Sequence, residues 1–168
     1  GDALTTGSYN TVLGHNALSS EDTGGANVAI GRYALNALDA GADAYNVAIG
    51  YDAGRNISTG VQNTIIGGNT GDALTTGEKN IAIGYAALGT EDTGSRNVAI
   101  GNAALFSQNY DGNGYNIAIG HTAGYAISTG TSNIILGGLA GDALTTGFGN
   151  IAIGHAALST EDAGDRSV

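Results

Sequence analysis

The chain has 168 residues, of which 30 are glycine and none is proline, cysteine, methionine or tryptophan, and its fifteen acidic and five basic residues give a formal charge of −10. Glycine at close to a fifth of the chain far exceeds the ~7% of average usage, without the every-third-residue glycine and the proline of collagen. A hydrophobic content of 42% with only 12% charge is the reverse of a disordered composition, and the acidic balance excludes a phosphate-backbone ligand.

Without cysteine there is no disulfide framework and no thiolate metal site. No apolar run approaches the roughly 18 residues of a membrane helix; stretches such as Ile134-Ile135-Leu136 end at glycine. No nucleic acid partner and no membrane insertion are expected. The chain shows no initiator methionine and no signal peptide, so a segment of a longer array is expected.

In chain order, Gly1-Asp2-Ala3-Leu4-Thr5-Thr6-Gly7 opens the sequence and returns unchanged at residues 71–77 and 141–147, a period of 70. Residues 71–96 and 141–166 agree at 20 of 26 positions without a gap. One repetitive unit therefore spans 1–168, with super-repeats at 1–70, 71–140 and, in part, 141–168.

A shorter period lies inside. Coils begin at Asn10, Asn27, Asn46, Asn63, Asn80, Asn97, Asn116, Asn133 and Asn150, at spacings of 17, 19, 17, 17, 17, 19, 17 and 17. With Asn as position one, position four is Ile or Leu and position five Gly in all nine coils. Position eight is Ala in eight coils, Thr70 being the exception, and position fifteen is Gly in eight, Asp111 being the exception.

Alternation along Asn80-Ile81-Ala82-Ile83 predicts a short strand with its larger aliphatics on one face. A helix is excluded, because glycines recur every few residues and each costs about 0.5–1 kcal/mol relative to alanine in a helix interior. The pattern predicts an all-β parallel solenoid of 17- and 19-residue coils. Position five turns the chain at a φ that favours glycine and position fifteen turns it back. Nine coils at ~4.8 Å make a rod on the order of 43 Å long. The Ile/Leu ladder at position four is expected to supply the core, alanine at position eight to meet the opposite wall, and the Asn column to hydrogen-bond along the axis as amide ladders do. So thin a rod buries little apolar area per coil, so self-association, as a trimer or a filament, is expected.

The units Asn80-Ile81-Ala82-Ile83-Gly84-Tyr85-Ala86-Ala87-Leu88 and Asn46-Val47-Ala48-Ile49-Gly50-Tyr51-Asp52-Ala53-Gly54 resemble the head repeats of YadA-type trimeric autotransporter adhesins. They resemble still more the Asn-x-Ala-Ile-Gly-x-x-Ala-Leu repeats of phage and bacterial tail-fibre-like proteins. The resemblance implies a left-handed parallel β-roll, three chains side by side, and attachment to host surfaces outside the cell. Coils of 17 and 19 residues depart from the adhesins' usual 14.

Candidate sites follow from where the coils differ. The 19-residue coils carry insertions, which in solenoids map to loops on one face, and they place Tyr45 in one and Phe106, Tyr110 and Tyr115 in the other. Such aromatics offer flat apolar bodies with polar tips that suit a sugar or a protein partner. The pairs Glu21-Asp22, Glu91-Asp92 and Glu161-Asp162 read as solvated turns and not as calcium sites. Their glutamates share position twelve with Leu38, Ile57, Leu74, Ile127 and Leu144, so either that position faces out or that side of the rod is not uniformly buried. His15, His121 and His155 all follow the position-five glycine and read as surface residues.

No nucleophile, acid–base or phosphate-cradling arrangement stands out. No metal, cofactor or enzymatic activity is expected. The sequence points to a segment of an extracellular, cell-surface or virion fibre that self-associates and presents loops to a host glycan or protein. The alternatives are an ice-binding solenoid, suggested by Thr at position fourteen in six coils, and a polysaccharide-active β-helix enzyme. Against the first, Thr75-Thr76 and Thr145-Thr146 are adjacent and would point oppositely in a strand; against the second, no ladder carries a charged cluster.

Overall fold

The computed structural model describes residues 1–160 and 162–167; Glu161, one of the acidic-pair residues, lies outside them. Nine three-residue strands run β1 (Thr11–Leu13), β2 (Val28–Ile30), β3 (Val47–Ile49), β4 (Thr64–Ile66), β5 (Ile81–Ile83), β6 (Val98–Ile100), β7 (Ile117–Ile119), β8 (Ile134–Leu136) and β9 (Ile151–Ile153). They form one parallel sheet in sequence order, and no helix occurs among the described residues. Equivalent positions pair throughout, Thr11 with Val28 and Ala48 with Ile65 for example. The chain is a β-solenoid in which each Asn-initiated repeat is one coil.

Each strand is short because glycine ends it. All nine position-five glycines have φ between +122° and +140°, a region closed to residues with a Cβ. At Gly101 a Cβ would also collide with the carbonyl oxygen of Gly120 in the next coil. The ladder needs that close approach, since the Gly120 N–H donates to Ile100 O at 2.8 Å. Position fifteen differs from expectation. Among these glycines only Gly41 has a positive φ; the others allow close approach, as at Gly77, where a Cβ would strike the Gly94 carbonyl.

The core also corrects the sequence reading. Position three, alanine in most coils and isoleucine at Ile65 and Ile135, is the strand position that points inward and is buried. Positions two and four point outward together, as the period of two requires. The Ile/Leu ladder of position four is therefore not the core. The opposite wall comes so near the strand that the interior mostly holds a methyl group at position three.

The larger interior volume is filled from that opposite wall. Leu18, Leu35, Leu88 and Leu105 at position nine and Leu38, Ile57, Leu74, Ile127 and Leu144 at position twelve are fully buried. The two positions share one space. Where position nine is glycine, position twelve is Ile or Leu, and a Cβ at Gly54 would come within 2.8 Å of Ile57 Cδ1. Position nine is left-handed in every coil, with φ of 46° to 60° whether it is Leu or Gly. A non-glycine residue there costs about 1–2 kcal/mol, which burial of a leucine, about 1.5–3 kcal/mol, offsets.

Candidate functional site

Turning positions two and four outward creates a continuous surface. Of the eighteen side chains on it, sixteen are aliphatic and two, Thr11 and Thr64, are threonine. Neighbouring rungs cover each other only along the axis, so Ile81, Ile117, Ile119 and Ile134 are more than a third exposed, and Leu13 and Ile153 at the two ends about two thirds. One flanking column is the residue that ends each coil, including Lys79, Arg96 and, before Ser167, Arg166; the other is position six, including Arg32 and the three histidines. Neither column nor the face itself contains a carboxylate, although the chain has fifteen. Three of the rim cations lie over aromatic rings, Arg32 at 4.5 Å from the Tyr33 centroid, Arg96 at 5.9 Å from Tyr115 and Arg166 at 5.1 Å from Phe148, and Lys79 pairs with Glu78 at 3.5 Å.

Behind this face the asparagine column joins coil to coil. Asn80 is fully buried; its Oδ1 accepts from the Asn97 backbone N–H at 2.9 Å and its Nδ2 donates to Gly94 O at 2.8 Å. The same acceptor contact recurs from Asn10 to Asn150. Side chain-to-side chain amide bonds, expected along the whole column, occur at Asn27, Asn133 and Asn150. The column mainly satisfies backbone groups at the start of each strand, where the turn leaves them without a ladder partner.

The acidic pairs are split between two environments, which corrects their reading as solvated turns. Position twelve faces in, and Glu21 and Glu91 are fully buried. Each lies in the coil before a 19-residue coil. Glu21 Oε1 accepts from Gly24 N at 2.6 Å and Oε2 from Ala40 N at 3.0 Å; Glu91 accepts from Gly94 N at 2.8 Å and Tyr110 N at 3.3 Å. The carboxylate thus caps the backbone where the longer coil leaves register. Burial pushes the Glu91 carboxyl above its ordinary value, against the lowering effect of the two amides. Oxygens of Glu21, Asp22 and Asp39 lie within 4.8 Å of one another, but those of Glu21 are already engaged and calcium takes six to eight ligands.

The second long coil is the least satisfied part of the interior. Asn97 Nδ2 and Gln108 Nε2 are buried without a hydrogen-bond partner among the described residues. Asn97 lacks the position-fifteen carbonyl that Asn80 uses, because Asp111 and the insertion displace it.

The four aromatic candidates do not converge on one spot. Tyr45 and Tyr115, both left-handed with φ of 55° and 50°, belong to the column flanking the aliphatic face and are more than half exposed. Phe106 stacks on Tyr125 on another side of the coil, with centroids 5.3 Å apart and planes 7° from parallel. Tyr110 lines an open hollow with Asp92, Asn109, Asp111 and Thr129. His15, His121 and His155 are exposed. At position thirteen the hydroxyls of Thr75 and Thr145 donate to carbonyls of the next coil, Asp92 O and Asp162 O, which is turn chemistry.

Sequence reasoning placed the larger aliphatics on one face of the strand but turned that face inward. Its signal was present, as alanine between two large β-branched residues in six of the nine strands. Comparison with protein-family models, curated proteins and solved structures gives no match.

Proposed function

We propose that the chain is a non-enzymatic structural and interaction element, a segment of an extracellular fibre or adhesin that associates with itself and presents the loops of its long coils for attachment. The observation that carries this reading is the uninterrupted parallel ladder: nine coils in register, varied in length only at two coils, the second of which carries a cluster of aromatic and amide residues over 106–115. Such a ladder makes a stiff spacer, since neighbouring coils are tied by strand pairing and by the buried asparagine column. The repeat resemblance to adhesin heads and tail fibres supports the same reading and the placement outside the cell.

Binding of the labelled chain to immobilised glycans and extracellular-matrix proteins tests it. The chain is expected to retain on a subset of them, and a variant with Phe106, Tyr110 and Tyr115 all changed to serine is expected to lose that retention. Retention unaffected by the triple change, or none at all, refutes the attachment role. One observation favours a second reading, an ice-binding solenoid: the aliphatic face is a regular, uncharged array, β-branched at every position except Leu13 and Leu136. Thermal hysteresis in solutions of the chain would support it.

A further inference from the structure

We propose that the outward aliphatic face of β1 to β9 is the surface on which copies of this chain meet, each copy covering the same face of another. The proposal rests on the self-association reading above and assigns that association to one surface. Three observations carry it.

The first is size. Nine three-residue strands at ~4.8 Å spacing and ~3.3 Å per residue give a face on the order of 430 Å², which the two flanking columns widen. Monomeric proteins rarely leave an apolar patch beyond a few hundred Å² uncovered, and a standard specific interface buries about 800 Å² on each partner. The face together with its flanking columns approaches the area that stable association requires.

The second is charge. A chain of net charge −10 should repel its own copies, yet no carboxylate lies on this face or in the columns that flank it. Among the flanking residues only Arg32, Lys79, Arg96 and Arg166 carry a full charge. Copies meeting here keep carboxylates off the face itself, the nearest, such as Glu78 beside Lys79 and Asp43 beside Tyr45, lying outside the flanking columns, while an apolar centre with a polar and aromatic rim is the anatomy of an interface. Four scattered cations are too few to recommend a polyanionic partner.

The third is period. The face repeats once per coil because equivalent positions pair in every strand. Side chains interdigitate along the whole rod only with a surface of equal repeat, and another copy has that repeat by construction.

Light scattering during size-exclusion chromatography, at loadings of about 50 µM against a micromolar-range affinity, tests this. The unaltered chain is expected to elute at two or three times its 16.5 kDa. The double variant Ile83→Lys/Ile100→Lys is expected to elute as a single chain with an unchanged far-UV spectrum. Ile83→Thr/Ile100→Thr, which keeps the β-branched shape, is expected to shift dissociation to at least tenfold higher concentration. Thr76→Lys/Thr146→Lys, exposed and off the face, should leave the mass unchanged. A single-chain mass for the unaltered protein overturns the proposal, as does an assembly that survives both face variants. A single chain showing thermal hysteresis overturns it in favour of ice. Loss of glycan or matrix binding with assembly intact would sink the attachment role alone.

Discussion

Truncating Asn80 to alanine removes two hydrogen bonds for which the fold supplies no substitute. The Asn97 N–H donates to Asn80 Oδ1 at 2.9 Å, and Gly94 O accepts from Asn80 Nδ2 at 2.8 Å. Asn80 and Asn97 are fully buried, so neither orphaned group regains water without opening the coil. A buried unsatisfied donor or acceptor costs about 1–3 kcal/mol, so the pair predicts a loss of roughly 2–6 kcal/mol in urea unfolding followed by far-UV circular dichroism. Because a solenoid is stabilised coil by coil, damage in the fifth of nine coils should also broaden the transition and lower its apparent m-value. Asn10→Ala deletes equivalent bonds at a half-buried end of the rod, where water replaces them, and is expected to cost about 1 kcal/mol. Equal effects at the two positions, or a loss below about 0.5 kcal/mol at Asn80, would refute the assignment of the column as a buried backbone partner.

Gly101→Ala combines φ +137° with a collision at the Gly120 carbonyl and should cost at least about 3 kcal/mol. Gly41→Ala, at φ +67° with open space around it, should cost only the left-handed penalty of about 1–2 kcal/mol; thermal melts of the two variants separate clash from conformation. Glu91 has its proton affinity raised by burial, so its contribution to stability is fully present below the ordinary glutamate value and is lost as pH rises through the raised one. Unfolding measured between about pH 4.5 and pH 7 should therefore show a shallower decline for Glu91→Gln than for the unaltered chain, and an identical slope would count against the buried carboxylate. Native-state hydrogen exchange should find the faster interior amides around residues 106–115, where two buried donors lack partners. Protection there equal to that of the first long coil, whose Asn27 Nδ2 is bonded, would contradict this.

Much of the architecture was legible because it is local. Asn at position one and Gly at position five mark each strand's ends through backbone needs that the adjacent residues meet or fail to meet, so strand positions and coil lengths follow from spacing alone. The long coils were equally plain, since an insertion changes the count. The burial of Glu21 and Glu91 was not, because beside the local amides of Gly24 and Gly94 each carboxylate takes its second partner from the following coil, Ala40 or Tyr110, and no pattern within residues 21–24 or 91–94 reveals that contact. The aromatic candidates failed to gather for a related reason: Phe106, Tyr110 and Tyr115 are near in sequence but leave different sides of one coil.

The sequence by itself determined the period, the strand positions and the fact that large aliphatics share one face of every strand. Only the tertiary structure decided which face that is. Alternation assigns side chains to two sides without saying which side is enclosed, and enclosure depends on how near the opposite wall comes. Here that wall, with its left-handed position nine and the packed side chain of position nine or twelve, leaves mostly a methyl group's width at position three. The isoleucines are thereby displaced from the core to the surface, where they form the face by which the rod is proposed to associate.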